Sequence, residues 1–206
     1  MFLPHDVTDI HLLGDLHGAY DRHDRVAKKH QFTIQMGDFG FEYGSLVKHD
    51  PAYHKVLGGN HDNYDLLPAM PHYLGDYGIF EFSTLKIFYM RGAYSIDLLL
   101  RTIGIDWWEQ EQLTIKQLNS ALEYYKQSKP DIIISHAPPS FAVPCFKCIN
   151  IISSNTEECL EAMHEAHRPR LHFFAHMHQQ KTIKRHDTRS ICVATNQVVS
   201  LKKYLQ

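Results

Sequence analysis

The sequence predicts an α/β protein built on a mixed sheet or on two stacked sheets. Early in the chain, short apolar runs alternate with polar, helix-compatible segments, whereas the middle and the end are rich in hairpin patterns. The length, 206 residues with 44% hydrophobic content, is enough for one sizeable core without cross-links. No internal repeat, low-complexity tract or linker interrupts it, so residues 1–206 read as one domain.

An apolar run at 10–13 is the first strand, and it leads into Gly14-Asp15-Leu16-His17-Gly18, a strand-to-helix turn. Residues 20–30 are polar with few apolar positions and predict a surface helix. Residues 32–36 alternate, as a half-buried strand does, and run into Gly37-Asp38-Phe39-Gly40. A loop or short helix at 45–51 precedes a third strand, 54–57, which ends at Gly58-Gly59-Asn60-His61-Asp62. Residues 64–70 predict a short helix, stopped by the prolines at 68 and 71. Strands at 78–82 and 85–90 pair as a hairpin through Ser83 and Thr84.

Capping-box spacing occurs twice, at Asp106-Trp107-Trp108-Glu109 and from Thr114 to Gln117. The second opens a helix on which Ile115, Leu118, Leu122 and Tyr125 share a face, with Pro130 as its stop. The continuous apolar run 131–134 has the character of a buried strand and delivers Ser135-His136-Ala137-Pro138-Pro139. Residues 141–156 predict an irregular loop and 157–167 a helix closed by Pro169. A strand at 171–174 ends in Ala175-His176-Met177-His178, and 182–196 predicts a closing hairpin turning at Asp187 and Thr188.

A formal net charge of -2 excludes a global field that would steer the chain to nucleic acid or acidic membranes. Between Arg168 and Lys203, however, eight Lys/Arg residues face one acid, Asp187. This is either a solvated face or a local phosphate-attracting surface. Four cysteines in a chain this long imply no disulfide framework. Cys145 and Cys148 form a lone C-x-x-C, read as reduced thiols in a loop or, with Cys159 or His164, as a small zinc site. The N-terminus does not have the pattern of a secretory signal, and no apolar run reaches membrane-spanning length, so a cytoplasmic protein with no membrane partner is expected.

The chemistry lies just past the strands. Five strand-like runs end in Asp15/His17, Asp38, Asn60/His61, His136 and His176/His178. Ligands of open α/β sheets gather at the carboxyl ends of strands. Singly, Asp38 reads as a turn residue, Asn60 as a φ > 0 position and His136 as a satisfied core histidine. Core packing does not explain why every run should end in Asp, Asn or His. Asp and His together suit Zn, Mn or Fe. One carboxylate can bridge two cations, and two ions about 3.5–4 Å apart clamp the attacking and leaving oxygens of an in-line displacement at phosphorus. Water on such ions is a nucleophile at neutral pH. His61, next to a ligand but not needed as one, suits a general acid.

The series G-D-x-H-G at 14–18, G-D-x-G at 37–40, G-N-H-D at 59–62, H-A-P-P at 136–139 and A-H-x-H at 175–178 resembles the motif series of the calcineurin-like metallophosphoesterases. The stretch from Gly92 to Asp97, with Arg101 and Trp107-Trp108, is similar to small bacterial and phage members. The resemblance implies a two-sheet mixed α/β sandwich flanked by helices. It implies Asp15, His17 and His178 on one divalent metal, Asn60, His136 and His176 on the other, Asp38 bridging, and His61 as the catalytic histidine. The ions would be Mn, Fe or Zn. Two departures from the family pattern stand out. Ala175 replaces the usual glycine of the last motif, and Phe41 and Glu42 stand where the protein phosphatases carry an acid and an arginine, which leaves His61 without its acidic partner.

The implied activity is hydrolysis of a phosphomonoester or phosphodiester, with a small phosphorylated substrate, a nucleotide among the candidates. Arg91 and Arg101 flank the middle loop, and Arg101 is the better candidate for a phosphate contact, together with Asn60, the alternative for Arg101 being a surface salt bridge. Trp107 and Trp108 read either as walls of a base-stacking pocket or as one core residue and one partly exposed. The alternatives are a nuclease or polynucleotide phosphatase using the basic C-terminal stretch, and a non-catalytic scaffold of the same fold.

Overall fold

The computed structural model describes residues 3–146 and 153–206. Two sheets carry the fold. The first has the order β10 (Val198–Ser200), β1 (His11–Leu13), β2 (Thr33–Met36), β3 (His54–Leu57). Here β1, β2 and β3 run parallel, and β10 is antiparallel to β1. The second has the order β4 (Tyr77–Phe82), β5 (Leu85–Met90), β6 (Ile132–Ser135), β7 (Leu171–Phe174), β9 (Thr188–Cys192), β8 (Lys181–Arg185). Its four central strands are parallel and its two edges antiparallel. This is the two-sheet mixed α/β sandwich expected.

The sheets face each other across one apolar layer. Leu12, Ile34, Met36 and Leu57 come from the first sheet, and Ile87, Tyr89, Ile132, Ile134, Phe173 and Ile191 from the second. On β6 the intervening Ile133 points the other way, into a layer with Leu118, Tyr125 and Leu160. A strand buried on both faces has no solvent side to mark with polar residues, hence its unbroken apolar run. Each such side chain, fully buried, stabilises the fold by roughly 1.5–3 kcal/mol.

Among the described residues, four helices flank the sheets. On α1 (Tyr20–Lys29), a narrow stripe of His23, Val26 and Ala27 is buried. α2 (Ile115–Ser128) opens on a reciprocal capping box between Thr114 and Gln117 and ends at Lys129, whose left-handed φ of 47° precedes Pro130. Leu118, Ala121 and Tyr125 are its buried residues, whereas Ile115, expected on that face, is exposed. α3 (Asn155–Ala166) begins two residues earlier than expected, because Ser154 and Glu157 form a second reciprocal capping box. α4 (Lys202–Leu205) follows the three-residue β10, and both were too short to leave a periodic signal.

The helix expected at 64–70 is one 3₁₀ turn, Leu67–Ala69, with Pro68 inside it. The capping box expected at Asp106 does not form. Asp106 instead accepts the Thr102 backbone N–H at 2.6 Å and closes a local loop. In the segment read as an irregular loop, Ser140–Cys145 forms 3₁₀ turns. Among the described residues, no helix is long and apolar enough to cross a membrane.

Candidate metal centre

The parallel strands of both sheets end at one edge of the sandwich. There β1 presents Asp15 and His17, β2 Asp38, β3 Asn60 and His61, β6 His136, and β7 His176 and His178. Residues 161 positions apart in sequence are neighbours here. Nε2 of His17 lies 3.0 Å from Nε2 of His178, and the His176 N–H donates to Asp15 Oδ1 at 3.1 Å.

The backbone bends sharply to achieve this. His17, Asp38, His176 and His178 have φ values of 46°, 57°, 63° and 56°. Left-handed non-glycine residues are uncommon and somewhat strained, and here they coincide with the site. Ala175 stays outside that region, so the methyl replacing the family glycine introduces no strain. Two neighbouring glycines are demanded by close approach. A Cβ on Gly59 would lie 2.3 Å from Asp38 Oδ1 and 2.7 Å from His136 Nε2. One on Gly14 would lie 2.2 Å from the Ala194 carbonyl oxygen, so Gly14 accommodates the neighbouring chain rather than the ligand cluster.

Three groups have ligating atoms that all lie within 4.8 Å of one another: Asp15, His17 and His178; Asp38, His136 and His176; and His17, Asp38 and His61. The first matches one ligand set implied by the resemblance, and the second joins the expected bridging residue Asp38 to His136 and His176 of the other set. Asp38 reaches both, its Oδ1 lying 3.2 Å from His136 Nε2 and its Oδ2 3.6 Å from His17 Nε2. Asn60 Oδ1 is 3.2 Å from His136 Nε2, at the second set.

The donors fit a pair of cations. Asp15 Oδ2 and Asp38 Oδ2 are buried and, among the described residues, have no hydrogen-bond partner, which is costly for a carboxylate unless a cation faces it. His136 Nδ1 lies 2.8 Å from the Met36 carbonyl, to which only a protonated ring nitrogen can donate. That fixes the tautomer and turns the Nε2 lone pair toward Asp38 and Asn60, the outer-shell arrangement typical of metal-binding histidines. Burial lowers the pKa of His17 to about 4 and of His176 to about 3, leaving both rings neutral and able to ligate. Burial also raises Asp15, to about 7, despite the pull of His136. For Asp38 the burial effect is overcome by His136, His61 and His17, which hold it well below the usual carboxylate range. Burial would lower His136, but Asp38 and Asp15 raise it to about 9, so without cations these carboxylates hold a proton in their place.

His61 Nε2 is 2.6 Å from Nη2 of Arg101, which also pairs with Asp97 at 2.8 Å and donates to the Asn60 carbonyl at 3.2 Å. Arg101 was read either as a phosphate contact or as one side of a surface salt bridge; here it pairs with Asp97 and also contacts His61. Arg91 is structural: buried, it pairs with Asp76 at 2.6 Å and stacks on Tyr64 at 4.7 Å. Trp108 is the core member of the tryptophan pair, donating to Asp65 at 2.8 Å and lying 5.6 Å from the Phe41 ring, while Trp107 is partly exposed. A cavity of about 360 Å³ beside His17 and His61 is lined by Tyr20, Gly40, Phe41 and Glu42.

Sequence reasoning missed Asp62. Fully buried, its carboxylate accepts from the N–H groups of Asp38 (2.8 Å), Phe39 (3.1 Å) and Gly59 (2.7 Å), and from the Tyr43 hydroxyl (3.0 Å). It ties the β2 loop to the β3 loop. Its signal was the acid closing the Gly59-Asn60-His61-Asp62 run. Cys148 lies outside the described residues. Of the zinc set considered around it, Cys159 packs in the α2–α3 core and His164 faces His172 at 2.9 Å. Among the described residues, no cysteine joins a metal-binding group.

The family model of the calcineurin-like phosphoesterases matches residues 8–180. The chain belongs to this family. At that level the protein is a metal-dependent phosphoric ester hydrolase. Comparison with curated protein sequences finds no match. Among solved structures, a dimetal phosphatase from Danio rerio is similar at 13% identity and a TM-score of 0.59, covering 91% of this phosphoesterase and 87% of that chain. Phosphopantetheinyl hydrolase (PptH) from Mycobacterium tuberculosis is similar at 14% identity and a TM-score of 0.56, covering 91% and 90%. A protein from Thermus thermophilus is similar at 11% identity and a TM-score of 0.55, covering 96% of each chain. At these identities the likeness concerns the fold.

Proposed function

We propose that this phosphoesterase is a dinuclear enzyme that hydrolyses small phosphomonoesters or phosphodiesters. The observation carrying this reading is the pair of three-residue ligand groups at adjoining strand ends, with Asp38 reaching both. Asp15, His17 and His178 would hold one divalent ion, and Asn60, His136 and His176 the other, with Asp38 shared. When bound, the ions supply Lewis-acid activation of the phosphoryl oxygens and of water. His61 contributes the proton. A guanidinium can only donate, so with Arg101 on Nε2 the ring carries its proton on Nδ1. As the imidazolium the ring gives a proton to the departing oxygen and returns to the neutral form, whereas the neutral Nδ1–H only hydrogen-bonds that oxygen. Asp97 holds Arg101 in turn, so the missing carboxylate acts on His61 at one remove.

The neighbouring cavity supports a compact substrate. Tyr20 and Phe41 offer aromatic surface for a leaving group, while the Glu42 carboxylate disfavours additional phosphates. The basic C-terminal stretch gives little support to a nucleic-acid track. Arg185 pairs with Glu161 and Glu165, and Arg170 and Arg189 cap the carbonyls of Leu205 and Tyr204. We place the reaction in the cytoplasm, where the free thiols of Cys145, Cys159 and Cys192 are at home.

The test is turnover of p-nitrophenyl phosphate and its bis ester by purified protein supplied with Mn, Fe or Zn. Hydrolysis of at least one ester is expected. A folded sample without turnover under any of the three metals overturns the reading.

A further inference from the structure

The segment between β5 and α2 contains a buried chain of hydrogen bonds that ends on a ligand residue. Asn60 Nδ2 donates to Ser95 Oγ at 3.2 Å. Ser95 Oγ lies 2.6 Å from Glu111 Oε2, and the Ser95 N–H donates to Glu111 Oε1 at 2.8 Å. All three residues are buried, with relative exposures of 4%, 1% and 3%. Glu111 is also tied to the segment through its backbone, since its carbonyl accepts the Ala93 N–H at 3.2 Å.

The chain has a direction. A carboxylate has only acceptors, and a serine hydroxyl has one proton to give. With Glu111 taking that proton, Ser95 Oγ can only accept from Asn60. The Asn60 group facing Ser95 must then be the NH₂, which turns Oδ1 toward His136 Nε2 and Asp38. Reversed, the same amide would present two N–H groups to the cation position, where they repel instead of ligate.

We propose that Glu111, acting through Ser95, is a positioning residue that locks the Asn60 amide with its oxygen toward the second metal position. This rests on the dinuclear reading given above. Neither Ser95 nor Glu111 touches substrate or ion; their effect passes through one amide. Partners at this distance from a metal typically change its affinity about 10- to 100-fold when removed.

The test is Mn²⁺ titration of the full chain by calorimetry, on wild type, Ser95→Ala, Ser95→Thr, Glu111→Gln, Asn60→Ala and the Asn60→Ala/Glu111→Gln double variant. The melting temperature of each is measured alongside. Ser95→Ala and Glu111→Gln are expected to weaken one of two Mn²⁺ events by about 10- to 100-fold and leave the other in place. Ser95→Thr, which keeps the hydroxyl, restores binding. In the Asn60→Ala background, Glu111→Gln adds no further loss, because the amide it positions is gone. Two wild-type-like Mn²⁺ events in Ser95→Ala and Glu111→Gln overturn the inference and leave the dinuclear reading standing. So does an equal loss from Glu111→Gln with and without Asn60. A wild type that binds no Mn²⁺, Fe or Zn overturns both. If Ser95→Ala unfolds, the Glu111→Gln pair of measurements decides alone.

Discussion

Nη2 of Arg101 faces Nε2 of His61 at 2.6 Å, so the histidine proposed to be catalytic is held by a permanent cation rather than by an acid. Burial lowers the pKa of His61 most, Asp38 raises it, and Arg101 lowers it again. Removing the guanidinium therefore frees the ring to reorient and makes its protonation easier. Arg101→Ala is expected to reduce kcat/KM about 10²-fold, the scale of one misplaced acid–base group. Because His61 acts as an acid, the basic limb of the pH–rate profile should move to higher pH. Arg101→Lys keeps the charge without the fork and should fall between. A profile with an unmoved basic limb would separate Arg101 from His61.

Asp62→Asn tests the tie between the β2 and β3 loops. An amide of the same shape keeps one acceptor oxygen and turns an NH₂ group toward N–H donors that the carboxylate now accepts from Asp38, Phe39 and Gly59. Leaving buried donors unpaired costs about 3 kcal/mol or more. Thermal unfolding should fall by about 6 °C or more, with loss of metal binding because Asp38 moves with its backbone. A variant within about 1 °C of wild type would show that the loops hold without it.

Gly59→Ala separates site geometry from general packing. The added methyl meets Asp38 Oδ1 and His136 Nε2, not an apolar wall. Metal affinity should drop by at least about 10-fold, a size typical of disturbed ligand geometry. Equilibrium metal dialysis reads this directly, and an unchanged affinity would contradict the close packing of Gly59 on the ligands.

Acid stability should depend on a histidine remote from the metal centre. Burial, then the neighbouring His49, His54 and His72, lower the pKa of His23 from 6.5 to about 3. Between those values the unfolded chain binds a proton that the folded chain does not, so stability rises with pH through this window and levels off above pH 6.5. Among the described residues, neither ring nitrogen of His23 meets a hydrogen-bond partner. His23→Leu should therefore flatten the fall in melting temperature between pH 6.5 and 4, and be neutral or stabilising at pH 7. An unchanged slope would mean that the acid sensitivity comes from other groups.

The sequence exposed much of this site because each ligand follows an apolar strand by only a few residues, a spacing visible without coordinates. Asp15, Asp38 and His136 were legible for that reason. The central strand β6 was legible too, since it is buried on both faces and its isoleucines 132–134 carry no polar interruption. What stayed hidden depends on partners far along the chain. The engagement of Arg101 with His61 spans 40 residues, and nothing local distinguishes it from an arginine that meets phosphate. Asp62 looked like the last letter of a motif until its donors were seen to come from the neighbouring loop. Ile115 failed for a simpler reason: helical spacing gives the face of a residue but not how much of that face is covered, and Ile115, at the first position of its helix, is exposed.

The central claim is that one chain holds two divalent ions through a shared Asp38. Elemental analysis of Mn²⁺-loaded, dialysed protein tests this most directly, comparing wild type with Asp38→Asn. The account predicts two ions per wild-type chain and loss of metal from the folded variant. Less than one ion per folded wild-type chain, or an Asp38→Asn variant that retains both, would contradict it.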